Sequence, residues 1–177
     1  LRMNGETWSK ISRFDDMETF FMTIVSSSNH WMFISSNGSL TAGRKNPESA
    51  LFPYYTDDKI IDTSEITGSK TILKVTQNGK TFLWEPFSAR YAGSYNIERN
   101  LYKSKFGNKI QFEEFNHDLG LVFRYKWAFS DAYGFVKYSE LESTSERSAQ
   151  IEVLDGLQNL LPTGVNSGLQ ESRSTLV

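Results

Sequence analysis

Residues 119–129 read Leu-Gly-Leu-Val-Phe-Arg-Tyr-Lys-Trp-Ala-Phe. Leu119, Leu121, Phe123, Tyr125, Trp127 and Phe129 fall on every second position, with Gly120, Val122, Arg124, Lys126 and Ala128 between them. Successive side chains of a strand point to opposite faces, so this segment reads as a strand with one wholly apolar face and one mixed face. A helix would scatter the same residues around its circumference. Burying five or six of them contributes roughly 10 kcal/mol before chain entropy is subtracted.

Further strands lie on both sides of it. In residues 18–25, Phe20, Met22 and Ile24 alternate with Thr19, Phe21 and Thr23; in 31–35, Trp31, Phe33 and Ser35 alternate with Met32 and Ile34. Residues 71–77 and 80–85 flank Asn78-Gly79, a pair that tolerates the two positive φ angles of a type I′ turn, so a tight hairpin is expected. Asn37-Gly38 suggests a second such turn. Residues 109–115 alternate through Ile110 and Phe112 and then slip phase at Glu113-Glu114-Phe115, as a β-bulge would. Asn116-His117-Asp118 turns the chain into the strand at 119, residues 133–141 return after the Asp131–Gly134 turn, and a last strand at 148–154 carries Ile151 and Val153. Strands joined by short turns pair antiparallel by default, and roughly ten of them in one domain split into two packed layers. The expected fold is all-β, a large antiparallel β-sandwich.

Composition agrees with this reading and narrows the chemistry. The 177 residues suit one domain. Ser (22) and Thr (13) outnumber Ala (7), which disfavours helix. No cysteine is present, which excludes disulfides and thiolate metal sites. A net charge of −2 argues against a nucleic-acid or anionic-membrane partner held by bulk charge. No run of apolar residues is long enough for a membrane-spanning helix. Residues 1–22 lack a basic start followed by an apolar stretch, so a cytoplasmic location is expected.

Two segments break the alternation. Residues 43–58, GRKNPESALFPYYTDD, hold Pro47 and Pro53 and read as a long loop with one helical turn at Pro47–Leu51. Residues 155–177 leave the sheet at Asp155-Gly156 and become polar after Pro162. The chain divides into a lead-in (1–17), a β-sandwich domain (18–162) and a linker toward a following domain (163–177).

Few residues offer catalytic chemistry. His117 lies near Glu113, Glu114 and Asp118, a potential acid/base or metal group, but a polar hairpin tip accounts for the same residues and no second His stands at ligand spacing. His30, beside Asn29 and Trp31, reads as the start of a strand. Neither a nucleophile elbow nor a phosphate loop occurs, and no metal or cofactor is expected. Asn37-Gly38-Ser39 matches a glycosylation acceptor but sits where turn chemistry is expected. Adjacent carboxylates (Asp57 with Asp58, Glu113 with Glu114) would point to opposite faces of a strand and so suit glycoside cleavage poorly. The 43–58 loop gathers Arg44, Lys45, Tyr54, Tyr55, Asp57 and Asp58, the mixture of aromatic faces and hydrogen-bonding groups that sugar sites use; an edge-covering structural loop is the plainer alternative. Trp84 is a further candidate, although its alternation with Phe82 suits core packing equally.

Three stretches support a family comparison: Phe33-Ile34-Ser35-Ser36-Asn37-Gly38-Ser39-Leu40 followed by Gly43-Arg44; Pro53-Tyr54-Tyr55-Thr56-Asp57-Asp58; and Ile151-Glu152-Val153-Leu154-Asp155-Gly156-Leu157-Gln158-Asn159-Leu160-Leu161-Pro162. Over residues 18–165 the chain resembles the N-terminal domain of cellobiose-phosphorylase-like enzymes. It carries Tyr where many relatives have Trp after the Pro, and Asp57 where many have Asn. The resemblance implies a galactose-mutarotase-like super-sandwich that supports a separate (α/α)₆ catalytic domain and contributes to a sugar site or a homodimer contact. It also implies that Arg44 and Asp57-Asp58 lie near the domain interface. The first expectation is therefore a non-catalytic module of a glycoside phosphorylase or hydrolase. A stand-alone aldose-epimerase-like enzyme, using His30 or His117, and a simple carbohydrate-binding module are the alternatives.

Overall fold

The computed structural model describes residues 1–3, 5–162, 164–166, 168, 169 and 172; for Asp57 and Asp58 it describes the backbone alone. Most of the expected linker at 163–177 lies outside the described residues. The strands are β1 (Arg2–Met3), β2 (Glu6–Ser12), β3 (Phe21–Ile24), β4 (His30–Ser35), β5 (Leu40–Arg44), β6 (Gly68–Gln77), β7 (Lys80–Trp84), β8 (Ile97–Ser104), β9 (Lys109–Asn116), β10 (Leu121–Ser130), β11 (Gly134–Ser143) and β12 (Gln150–Gln158). One short helix, α1 (Asp57–Ile61), and two 3₁₀ turns, Phe14–Asp16 and Pro47–Ser49, complete the described elements.

The protein is all-β, and its described strands form three antiparallel sheets. The largest has the order β1-β2-β8-β9-β10-β11; the two smaller ones are β12-β6-β7 and β3-β4-β5. The apolar positions of β10 behave as their spacing demands. Leu121, Phe123, Tyr125 and Trp127 are buried together with Leu101, Ile110 and Phe112 of the neighbouring strands. They meet Met22, Ile24, Met32, Ile34 and Leu40 of one small sheet and Leu73, Val75 and Trp84 of the other in a single core. This is a β-sandwich whose larger sheet curls into a half-barrel.

The hairpin at Asn78-Gly79 has φ of +50° and +72°, the two left-handed positions of a type I′ turn. The turn at 36–38 is different. Gly38 alone has positive φ, its N–H donates to Ser35 O at 3.0 Å, and the Ser35 N–H donates to Ser39 O at 2.8 Å, closing a loop of residues 36–38 between β4 and β5. That is a type I turn closed by a left-handed glycine. The helical turn expected at Pro47–Leu51 is a 3₁₀ turn at Pro47–Ser49, followed by α1.

Three features depart from the sequence reading. The lead-in at 1–17 supplies β1 and β2, and β2 joins the large sheet by pairing with β8. The phase slip at Glu113–Phe115 is not a bulge, because β9 pairs without interruption with both β8 and β10. Phe112 and Glu114 instead share the core face while Glu113 and Phe115 face the other way. Finally, β12 does not stop at Asp155-Gly156. It pairs with β6 as far as Gln158, because the Asp155 carboxylate is taken up by Thr71 and Lys137 at 2.5 and 2.6 Å.

Candidate functional site

Glu113 and Glu114 mark the two faces of the large sheet, and each is neutralised by an arginine from a neighbouring strand. On the core face, Glu114 is 1% exposed. Its Oε1 accepts from the Trp84 indole at 2.8 Å; its Oε2 accepts from Arg99 Nε at 2.8 Å and from the Phe87 backbone N–H at 2.6 Å. Phe87 has φ +65°, a strained conformation for a bulky residue, and its ring packs edge-on against Phe112 and Tyr125. An interlayer cavity of about 190 Å³ adjoins this cluster, lined by Phe14, Asn37, Glu65, Phe87, Arg99 and Tyr125. With every Glu114 oxygen engaged, the cluster's evident role is to tie β7 and the 85–88 turn to the large sheet.

The opposite face is the stronger candidate. Trp8 and Lys10 of β2, Asn100 and Tyr102 of β8, Gln111 and Glu113 of β9, Arg124 and Lys126 of β10, and Tyr138 and Glu140 of β11 share it by register. Trp8, Asn100, Tyr102, Glu113 and Val122 are buried there, and Met3 and Glu6 at one end of the sheet line the same cleft as Glu140 at the other. The concavity holds a cleft of about 630 Å³, within the usual range for ligand sites. Glu113 forms its floor. It accepts hydrogen bonds from Tyr102 Oη (2.7 Å), Asn100 Nδ2 (3.2 Å) and Arg124 Nε (2.6 Å). Arg124 continues outward to Glu140 and Glu142 at 2.9 and 2.6 Å.

The electrostatics of this face are balanced. Glu6, Glu113 and Glu140 face Lys109, Arg124 and Lys126 in the cleft lining, and Lys109 pairs with Glu6 at 2.6 Å. Burial, reinforced by the hydrogen bond to Glu113, holds the Tyr102 hydroxyl well above its ordinary pKa, so it stays a donor at neutral pH. Burial pushes Arg124 down, but its bonds to Glu142 and Glu113 outweigh that and raise it. The Trp8 indole N–H and the Asn100 side-chain carbonyl find no hydrogen-bond partner among the described residues. The cleft therefore offers fixed donors and acceptors without a net field.

The residues singled out from the sequence do not converge. Arg44 ends β5, exposed and cross-strand from His30, whose pKa is lowered by burial and, to a lesser extent, by the Arg44 charge. Tyr54 packs edge-on against Trp31 at 5.8 Å, on the outward side of the small sheet, and Tyr55 is half-buried. Asp57 and Asp58 open α1, with side chains outside the description. Trp84 is a core residue whose role is the hydrogen bond to Glu114. His117 sits on the β9–β10 turn with its side chain 47% exposed and 4.0 Å from Glu98, and neither histidine lines the cleft or the interlayer cavity. Among the described residues no cluster of His, Asp and Glu is arranged to hold a metal ion.

Sequence reading passed over the concave face because its residues come from five strands, two of which it did not identify. The one local signal was the phase slip at Glu113-Glu114. No protein-family model matches this chain, and no curated protein matches it at a significant level.

Proposed function

We propose that this chain is a non-catalytic carbohydrate-binding β-sandwich module, whose site is the concave face of the six-stranded sheet. The observation that carries the reading is the charge-balanced cleft built on Glu113 and Arg124. A neutral, hydroxyl-rich ligand uses fixed planar donors and acceptors and does not need a net field, whereas a nucleic acid or anionic surface does. The outer turn position of His117 disfavours the epimerase alternative.

On this reading the module serves a larger glycoside phosphorylase or hydrolase, as the resemblance over residues 18–165 suggests. The outward face of β3-β4-β5 supports that role. Phe21, Phe33 and Tyr54 are 37, 42 and 45% exposed beside Trp31, an aromatic surface suited to packing against an (α/α)₆ domain.

Calorimetric titration with cello-oligosaccharides and a panel of other neutral oligosaccharides tests the binding role. Saturable binding is expected, weakened about fivefold by Gln111→Ala and by Lys126→Ala if each removes one hydrogen bond of about 1 kcal/mol. Both side chains are half-buried in the cleft wall, so these variants keep the fold. Flat titrations across the panel, or full binding by both variants, would defeat the proposal. Polarimetry of glucose mutarotation is expected to show no acceleration.

A further inference from the structure

The free edge of β12 is unlike the other long sheet edge. β12 is the outermost strand of β12-β6-β7, nine residues long, and its register with β6 runs unbroken from Gln150 to Gln158. Natural edges are usually blunted by lysine, proline, a bulge or shortness. In the large sheet β1 is two residues long, and β11 holds a lysine, Lys137, and exposes a single large apolar side chain, Tyr138. β12 has no lysine, proline or bulge. Val153, Leu154 and Leu157 on it are 56, 68 and 41% exposed. Its two acids are already compensated within the chain: Glu152 by Lys74 at 2.8 Å and Asp155 by Lys137 at 2.6 Å. Lys137 reaches Asp155 from β11 in the other layer, on the face Asp155 shares with Val153, and its Nζ also donates to the Gly156 carbonyl at 3.4 Å; among the described residues the rest of the hydrogen-bonding edge in the plane of the sheet is open.

The geometry points to a second copy of this chain as the occupant of that edge, joined through antiparallel β12–β12 pairing about a two-fold axis at Leu154. The sequence QIEVLDGLQ is nearly self-complementary about its centre. In this register Gln150 faces Gln158 of the other copy, Ile151 faces Leu157, Val153 faces Asp155, Glu152 faces Gly156, and Leu154 faces Leu154. Apolar pairs stand at the centre and on both flanks, and no acid faces an acid. An axis at Glu152 or Asp155 sets two carboxylates against each other, which is unfavourable. An axis at Val153 sets both Ile151 against Asp155 and Leu154 against Glu152, two apolar–acid pairings where the axis at Leu154 has one. The self-paired edge makes one continuous six-stranded sheet, β7-β6-β12-β12-β6-β7, and buries the exposed leucines. A two-fold contact of this kind closes after one partner, so it gives a dimer and not a fibre.

Sedimentation velocity of the full chain over a micromolar to submillimolar range tests the assembly. A dimer is expected, with Leu154→Lys moving the monomer–dimer midpoint upward by more than about tenfold. Register is tested by cysteine cross-linking, which the cysteine-free chain makes specific. Leu154→Cys places two sulfurs across the axis at about 5 Å between Cβ atoms, within disulfide reach, whereas Gln158→Cys separates them by about 27 Å. Rapid disulfide formation by the first variant and little by the second is the expected result. A wild-type chain that stays monomeric throughout the range, or equal cross-linking by the two variants, would overturn the assignment. Leu154 is a surface position, so circular dichroism is expected to be unchanged in its variants.

Discussion

Replacing Glu114 with methionine gives the most direct measure of what holds the two layers together. The methionine fills similar volume but accepts no hydrogen bond. It leaves the Arg99 guanidinium, whose side chain is 17% exposed, without its carboxylate at 2.8 Å. The Trp84 indole N–H and the Phe87 backbone N–H lose the same acceptor. Removing one partner of a buried ion pair costs about 3–5 kcal/mol, and each buried donor left unpaired costs about 1–3 kcal/mol. The losses overlap because one relaxation of the 85–88 turn relieves several, so a total of about 5 kcal/mol is expected, the lower limit of a typical domain's stability. With a urea dependence of about 2 kcal/mol per molar, the unfolding midpoint falls by about 2.5 M. Tryptophan fluorescence follows the transition, with Trp84 itself a reporter. The double variant Arg99→Met/Glu114→Met removes the stranded charge and leaves only two N–H groups unpaired. It is expected to recover about 2–3 kcal/mol of the loss. A single variant within 1 kcal/mol of wild type, or a double variant no more stable than the single, would refute the claim that this carboxylate is the layers' electrostatic tie.

Other expectations rest on single contacts. Burial alone would raise the Asp155 pKa, but hydrogen bonds from Lys137, Thr71 and Ser139 lower it below the ordinary value. Its stabilisation is therefore present above the unfolded carboxylate pKa of about 3.9 and lost as pH falls through the lower folded value. Thermal melts between pH 2 and 6 are expected to show a shallower acid limb for Asp155→Asn than for wild type. Gly43→Ala would place a Cβ 2.5 Å from the Trp31 ring and 2.8 Å from Ala50 Cα, and the backbone contact has no flexible end to give way. A loss of about 2–3 kcal/mol with a shift in Trp31 emission is expected; unchanged stability would mean that the β5–Ala50 approach is looser than described. His117→Ala, at an exposed turn, is expected to change stability by less than about 0.5 kcal/mol and to leave sugar titrations unaltered.

Much of the fold was legible in the sequence wherever a rule was local. The pleat alone put Leu121, Phe123, Tyr125 and Trp127 on one side of β10, and they are buried together. Asn78-Gly79 announced its turn through the two residue types that tolerate left-handed backbone. The same periodicity misjudged Asp155-Gly156, because a charged residue and a glycine look like a strand's end until Thr71 and Lys137 are placed beside them.

The candidate site was not legible. β8, with Arg99 on its core face and Asn100 and Tyr102 on the other, has no clean hydrophobic alternation, and neither has β2. Period and turn chemistry determined that this is an antiparallel β protein and where several of its strands run. Only the tertiary structure decided that Glu113 and Glu114 continue a regular strand, one in each face. A buried carboxylate is tolerable only when its counter-charge arrives from another strand, here Arg124 and Arg99, and that pairing has no signature in the nearby sequence.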